Sequence, residues 1–230
     1  MHCIRWLCLV HKNNLDTLVY GMEVFNEEHG CKLHVPTYKR PADLDNKILT
    51  GRDFFKISMD QQAFGASACL YWLKRTLALK HSFYEGILHE DNLYTTQILL
   101  DNDCNRLQLI TDAIYLRRIR LGSITNSKHN KQHYLGFLTV YKELAVYFES
   151  STNTKDDISA LVAFRRSIFI SFVIRLVSVH NLRIPISMRI ELFNCLKISY
   201  GAMFNIKCIS CVLFPFTSVK LRRLKRKLMS

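Results

Sequence analysis

The chain has 230 residues, of which 49% are hydrophobic and 22% are charged. This composition excludes a wholly disordered chain, and a count of eight glycines and four prolines excludes a collagen-like one. The net charge of +13 is unevenly spread: residues 1–150 carry 18 Lys/Arg against 16 Asp/Glu, whereas residues 151–230 carry 14 against three. The sequence therefore predicts a near-neutral domain over residues 1–149, a linker over 150–157 and a basic helical module over 158–230.

The predicted elements mix strands and helices, which favours an α/β or α+β first part. In chain order they are a strand at 15–25, a polar segment with turn residues at 26–50, helices at 66–79 and 91–100, and a strand at 109–116. Helices at 134–148 and 158–179 follow, with one or two more over 185–214.

The eight cysteines are scattered along the chain, and several lie in apolar runs. This favours reduced, buried thiols in a cytosolic protein over a disulfide framework, which is typical of short, cysteine-dense secreted chains. Cys208 and Cys211 have the spacing of a zinc or redox pair, but no second pair accompanies them.

No signal peptide is predicted, because Arg5 interrupts the first apolar stretch. No apolar run approaches the roughly 20 residues that a bilayer span needs.

Three ionisable residues, His89, Glu90 and Asp91, stand side by side just before a predicted helix. A carboxylate held at such a junction can act as a general base. The alternative interpretation is an acidic helix start that only complements the helix dipole.

A basic segment follows the predicted strand at 109–116. It contains three arginines and two hydroxyl residues, namely Arg117, Arg118, Arg120, Ser123 and Thr125. Guanidinium groups bind phosphate oxygens in pairs and hydroxyls add hydrogen bonds, so the segment could bind a phosphate. A solvated basic loop is the alternative.

Four sequence blocks occur in a fixed order: Gly51 with Phe54 and Phe55, Ala-Cys-Leu-Tyr at 68–71, Glu-Gly-Ile-Leu-His-Glu-Asp at 85–91, and the basic segment from Tyr115 to Thr125. Together they make residues 15–148 closely resemble the C-terminal half of bacterial family 2 glycosyltransferases, which build capsule, lipopolysaccharide and other polysaccharides. The resemblance implies a GT-A fold, with a Rossmann-like mixed sheet. It also implies inverting transfer of a sugar from a nucleotide-sugar donor to a glycan or lipid-linked acceptor.

The resemblance also assigns roles to residues. Asp91 would be the catalytic base for the acceptor hydroxyl, positioned by Glu90 or His89. The substrate-binding residues near the donor diphosphate would be Arg117, Arg118, Arg120 and Ser123. Residues 51–72 would line the acceptor side, and a divalent metal, Mg or Mn, is the cofactor that the family implies.

The chain also departs from this family, because it begins at a point that matches the segment just after the family's Asp-x-Asp metal motif. Asp43-Leu-Asp45 and Asp101-Asn-Asp103 lie in the wrong places for that motif and are interpreted as surface turns. The metal ligands are therefore not identified. We expect a truncated or split enzyme that is weakly active or inactive alone and that exposes a sheet edge to a partner chain or a missing N-terminal half. The alternative is a non-catalytic remnant or accessory subunit that binds a partner or an anionic membrane.

The C-terminal end predicts a short basic amphipathic helix. Residues 220–227 hold six Lys/Arg, with Leu221, Leu224 and Leu228 on one side. Because each cation near an anionic leaflet contributes about 1 kcal/mol, this end favours a cytoplasmic protein held at the inner face of the membrane through residues 220–230. A solvated tail is the alternative. Nucleic-acid binding is not expected, because the nearby aromatic residues are not interleaved with the basic ones.

Overall fold

The computed structural model of the chain describes residues 2–26, 32–33, 40–119, 130–150, 156–178 and 184–200. These residues form a mixed α/β structure, which confirms the predicted mixture of strands and helices. The chain divides into two compact units. The sheet unit comprises Met1–Glu85 and Glu90–Ser127, and the helical unit comprises Gly86–His89 and Lys128–Ser230. The predicted linker at 150–157 falls largely outside the described residues and stays a prediction.

The described residues of the sheet unit form five strands. They are β1 (Thr17–Asn26), β2 (Lys32–Leu33), β3 (Ile48–Leu49), β4 (Tyr71–Leu73) and β5 (Leu107–Ile119). Long strands β1 and β5 run parallel, while β2 and β4 pair antiparallel with β1 and β3 pairs antiparallel with β5. The strands predicted at 15–25 and 109–116 are thus confirmed as the two central strands.

The pairing of β1 with β5 is irregular around Gly21. Thr17 to Tyr20 pair with residues 90 positions later, whereas Met22 to Asn26 pair with residues 93 positions later. A Cβ at Gly21 would lie 2.4 Å from the carbonyl oxygen of Thr111, so only glycine allows this close approach. Asp45 holds the bulged strand, because its Oδ1 accepts hydrogen bonds from the N–H of Thr111 at 2.7 Å and from its hydroxyl at 2.9 Å.

Among its described residues the sheet unit has the α-helices α1 (His2–Lys12), α2 (Gly51–Asp60), α3 (Arg75–Ala78) and α4 (Glu90–Leu100). Thr50 caps α2, since its hydroxyl oxygen accepts a hydrogen bond from the N–H of Asp53 at 3.1 Å. Phe54 and Phe55 are fully buried on this helix. A Cβ at Gly51 would lie 2.4 Å from the carbonyl oxygen of Leu99, so a glycine here allows α2 and α4 to pack closely. The Gly51 block is therefore explained by packing.

The helical unit contains α5 (Lys131–Ser150), α6 (Asp156–Ser178) and α7 (Ile186–Tyr200), which confirms the predicted helices at 134–148 and 158–179. Tyrosine hydroxyls join α5 to α7: Tyr134 donates to the carbonyl of Met188 at 3.2 Å and Tyr141 to that of Cys195 at 3.0 Å. Burial raises the pKa of Tyr134, because its phenolate would be desolvated.

The helix predicted at 66–79 is wrong. The structure has a 3₁₀ turn at Ala68–Leu70, strand β4 and the short helix α3 in its place. The apolar run around Trp72 is compatible with either a helix or a strand. It forms a strand because Tyr71–Leu73 pair with Thr17–Val19. Helix α1 was not predicted, because its short apolar stretch was considered only as a targeting segment.

The thiols divide into two kinds, and none of those described forms a disulfide. Cys104 and Cys195 are buried, as predicted, and burial raises the pKa of Cys104 to about 11. The prediction of buried thiols is wrong for Cys8 and Cys69, which are exposed. Cys208 and Cys211 lie outside the described residues.

Candidate active site

Asp91 is held against an irregular segment of the sheet unit. It lies in the first turn of α4, where the helix dipole favours a negative charge. Its Oδ2 accepts a hydrogen bond from the backbone N–H of Ala68 at 3.2 Å. Among the described residues, no hydrogen bond reaches its other oxygen, Oδ1, and the side chain is only half-buried. The carboxylate is thus fixed at one oxygen while the other can still accept a proton.

Residues 65–71, here called the 65–71 segment, gather further polar groups. The carbonyl oxygen of Gly65 accepts hydrogen bonds from the Tyr71 hydroxyl at 2.6 Å and from Arg40 Nη1 at 3.2 Å. The Arg40 guanidinium also lies over the Tyr71 ring, 5.2 Å from its centroid. A cation therefore contacts this segment at Gly65 and Tyr71, and the Asp91 carboxylate contacts it at Ala68.

An exposed thiol and two phenols lie at the same segment. Cys69 neighbours the Tyr115 hydroxyl on β5, and this thiol raises the pKa of Tyr115. Burial raises the pKa of Tyr20 on β1, with smaller contributions from Cys69 and Tyr115, and Arg40 opposes the rise. Both hydroxyls therefore stay protonated at neutral pH and can donate hydrogen bonds.

The other members of the predicted catalytic group have different surroundings. Glu90 is half-buried and begins α4. His89 belongs to the helical unit, where its Nε2 lies 2.9 Å from Nδ1 of His133 and its ring stacks on Phe137 with centroids 3.8 Å apart. Its backbone has a φ of +72°, a left-handed conformation that is uncommon for a residue other than glycine. His89 is therefore fixed by stacking and hydrogen bonding within the helical unit.

The predicted phosphate-binding residues are described only in part. Arg117 and Arg118 lie near the end of β5, opposite Val24 and Phe25 of β1. Successive side chains on a strand point to opposite faces, and Arg117 is half-buried while Arg118 is exposed. A single phosphate on one face of the sheet would therefore meet only one of them. Arg120 and Ser123 lie outside the described residues.

The described residues do not fit a divalent metal. No group of three or more His, Cys, Asp or Glu side chains in the described part of the chain is arranged to hold an ion. Asp45 binds Thr111, and Asp43 accepts hydrogen bonds from Gln61. The carboxylates of Asp101 and Asp103 already have partners as well. Asp101 lies 2.7 Å from His81 Nε2, and Asp103 forms an ion pair with Lys80.

Sequence reasoning missed Arg40, Tyr20 and Cys69 as site residues. Arg40 precedes a proline and belongs to no motif that the sequence shows. Cys69 was interpreted as a packed thiol because its neighbours are apolar. Tyr115 was noted only as the first residue of the basic segment, and no spacing in the sequence links it to Cys69.

No known protein-family profile matches the chain. Among curated proteins it is similar to "Glutathione S-transferase P" of Caenorhabditis elegans, with 24% identity over 148 residues. The similarity covers 57% of this chain and 71% of the relative.

This comparison overturns the glycosyltransferase prediction. The relative is a different class of transferase, and nothing in the comparisons points to a glycosyltransferase, to polysaccharide, capsule or lipopolysaccharide synthesis, or to a truncated GT-A domain. The blocks that carried the resemblance have local structural reasons. Gly51 and the two phenylalanines pack α2 against α4, and the acidic pair begins a helix. Short motifs of this kind recur wherever the same packing and capping are required.

Proposed function

We propose that the chain is a transferase that joins a thiol co-substrate to an electrophile, with glutathione as the thiol. The class and the thiol are suggested by the name of the C. elegans relative. The structural observation that carries the proposal is the Asp91 carboxylate, which is held at Oδ2 by Ala68 and accepts no hydrogen bond from described residues at Oδ1.

The chemistry assigned to Asp91 is general base catalysis. A free thiol is only a few per cent ionised at neutral pH, so a base beside it raises the concentration of the reactive thiolate. The thiol proton passes to Asp91 Oδ1, the sulfur forms a bond to the electrophilic carbon, and the leaving group departs with the electron pair of the bond that breaks. The hydroxyls of Tyr115 and Tyr20 are protonated donors that could stabilise the thiolate.

The test measures thioether formation from glutathione and chlorodinitrobenzene by the purified full chain. Asp91→Asn keeps an oxygen for the Ala68 N–H but removes the base, so we expect the rate to fall by about 10²- to 10⁴-fold. Asp60→Asn, at an exposed carboxylate at the end of α2, is the matched control and should leave the rate unchanged. Absence of turnover by the wild-type chain, or equal rates for the two variants, contradicts the proposal.

We also propose that the protein associates with the surface of an anionic membrane. Within the described residues, no helix is long and apolar enough to cross a bilayer. The helical unit exposes Phe164 and Phe172 on α6 and Ile186 and Ile190 on α7, which supports contact with a lipid surface. The basic residues at 220–227 lie outside the described residues and contribute through charge alone. Co-sedimentation with phosphatidylserine vesicles that weakens with salt is expected, and equal binding to neutral vesicles would count against the electrostatic part.

A further inference from the structure

Arg40 is a buried cation in the sheet unit, with 8% of its surface exposed. Its Nη1 donates to the carbonyl oxygen of Gly65 and lies 3.5 Å from the Tyr71 hydroxyl. Its Nε and Nη2 are buried and have no hydrogen-bond partner in the part of the chain that the structure describes. Among the described residues, no carboxylate forms an ion pair with this guanidinium.

This arrangement is unfavourable by itself. An arginine stays charged at any physiological pH, so burial cannot be relieved by loss of a proton. A buried charge that lacks both a counter-ion and hydrogen bonds destabilises a protein by several kcal/mol. The aromatic ring of Tyr71 offsets part of this cost through its π face, but it accepts no hydrogen bond from Nε or Nη2.

The two unpartnered nitrogens lie on one edge of the guanidinium group. Nε–H and the Nη2–H on the same side point in parallel, and this edge binds the two oxygens of a carboxylate or phosphate in a bidentate manner. The other edge is fixed, because Nη1 is hydrogen-bonded to Gly65. The side chain is therefore held by one edge, and the edge suited to an oxyanion has no hydrogen-bond partner among the described residues.

The absence of a side chain at Gly65 allows Arg40 to approach. A Cβ at this position would lie 3.1 Å from Nη1 and 3.3 Å from Cζ, which is closer than an ordinary contact. Tyr20 adds a hydroxyl to the same surroundings, since Arg40 is among the groups that act on its pKa. Because burial raises that pKa, the phenol stays protonated and does not itself neutralise the guanidinium.

From these observations we propose that Arg40 binds an oxyanion, the phosphate or carboxylate group of a small ligand, through Nε and Nη2. This inference goes beyond the proposed transferase activity, because it concerns a different side chain and holds whether or not glutathione is a substrate. A bidentate anion would supply the counter-charge and satisfy both buried donors at once.

Thermal unfolding of the full chain in inorganic phosphate, acetate or chloride at equal ionic strength tests this proposal. A specific site gives a saturable rise in Tm, and at 100 times the Kd the rise should be about 5 °C or more. The general stabilising effect of phosphate is not saturable and is the same in all variants. A rise with phosphate alone identifies a phosphate ligand, and a rise with acetate identifies a carboxylate.

Three variants assign the effect to Arg40. Arg40→Lys keeps the charge but loses the parallel donors, and should weaken anion affinity at least 10-fold. Gly65→Ala should weaken it several-fold while Arg40 remains. Arg52→Lys is the control, because Arg52 already donates to the Leu100 carbonyl and to Asn102.

A measurement on the wild-type chain keeps the test decisive if a variant fails to fold. The Nε–H resonance of Arg40 in a ¹⁵N NMR spectrum should shift in the presence of the effective anion. A wild-type chain that shows neither a saturable Tm rise nor this shift with either anion overturns the proposal, as does an Arg40→Lys variant with unchanged affinity.

Discussion

Two groups of polar side chains, one in the helical unit and one in the sheet unit, use their hydrogen-bonding atoms in different ways. In the helical unit, Tyr134 and Tyr141 donate to carbonyls of α7, and Arg166 Nε donates to the carbonyl of Tyr141 at 3.1 Å. In the sheet unit, Arg40 and Asp91 converge on the 65–71 segment and keep hydrogen-bonding capacity that no described residue uses. The Tyr134 and Tyr141 hydroxyls are thus satisfied within the fold, whereas Arg40 and Asp91, at an irregular segment, keep capacity for a ligand.

The largest loss of stability is expected from substituting two glycines, one in each unit, that lie against the backbone of another element. A Cβ at Gly21 would lie 2.4 Å from the carbonyl oxygen of Thr111, and one at Gly136 would lie 2.1 Å from that of Leu88. We expect Gly21→Ala and Gly136→Ala each to lower the free energy of unfolding by about 3 kcal/mol or more. Hydrogen exchange should lose protection in the sheet unit for the first and in the helical unit for the second.

Gly86→Ala is the control for this pair. Gly86 has a φ of +77°, and a Cβ at this position would meet nothing within 4 Å, so only backbone strain opposes an alanine there. The expected loss is about 1 kcal/mol. A loss at Gly136→Ala no larger than this would show that Leu88 does not pack on α5 as described.

The next effect is a pH dependence of the free energy of unfolding, caused by Cys104, the buried thiol of the sheet unit. Burial raises the pKa of Cys104 from its ordinary value of 9.0 to about 11. The folded state therefore keeps its proton above pH 9 while the unfolded state loses it, so this stability is full below pH 9 and is lost as pH rises towards 11. We expect the loss attributable to Cys104 to reach about 2 kcal/mol at pH 10.5. Urea unfolding of the wild type and of Cys104→Ala at pH 8 and pH 10.5 measures it.

The exposed Cys8→Ala is the matched control, because that thiol is not buried. It should leave the wild-type pH dependence unchanged. If Cys104→Ala and Cys8→Ala lose stability equally between the two pH values, Cys104 does not titrate as its burial requires.

A smaller effect separates a tyrosine that only joins helices from one that also supports the Arg40 site. Tyr141→Phe and Tyr71→Phe each remove a hydroxyl that donates to a buried carbonyl, so each should cost about 1 kcal/mol. Only Tyr71→Phe should also weaken phosphate or acetate binding, since its hydroxyl lies 3.5 Å from Arg40 Nη1. Thermal unfolding with and without the anion measures both quantities, and equal anion affinities would contradict the distinction.

The smallest effect concerns the surface. Lys142 and Glu191 form an exposed ion pair in the helical unit. Exposed pairs contribute little because water screens them, so Lys142→Ala should change the free energy of unfolding by less than about 0.5 kcal/mol. A change above about 1 kcal/mol in denaturant unfolding would mean that this pair lies in a less polar environment than its exposure indicates.

The long elements could be predicted from the sequence because their patterns are local. Strands β1 and β5 and helices α5 and α6 follow runs of apolar residues with a clear period. Strand β4 could not be predicted, because its three residues become a strand only by pairing with Thr17–Val19, more than 50 positions earlier. The predicted boundaries of the domains stay predictions.

The candidate site was predictable only in one residue. Asp91 was selected for its place at a helix start, and it does lie against a second segment. Arg40 and Cys69 come to the site only when the chain folds. Arg40 donates to Gly65, 25 positions later, and Cys69 neighbours Tyr115 on β5. The glycosyltransferase prediction failed because the sequence blocks that carried it reflect helix packing and helix starts, and unrelated proteins share such features.

Across the bulge at Gly21, β5 has three residues more than β1. This difference limits which insertions and deletions the strand could tolerate. Side chains alternate along a strand, so an odd excess exchanges the faces of everything beyond the bulge. Tyr115 stands beside Met22 only because the count is odd. Removing a single residue between Ile110 and Ala113 would turn the distal half of the strand over, place Leu116 where Tyr115 now lies, and spare the proximal half. A homologous chain that differs in length here by one residue would thus share this sheet but not this arrangement of side chains.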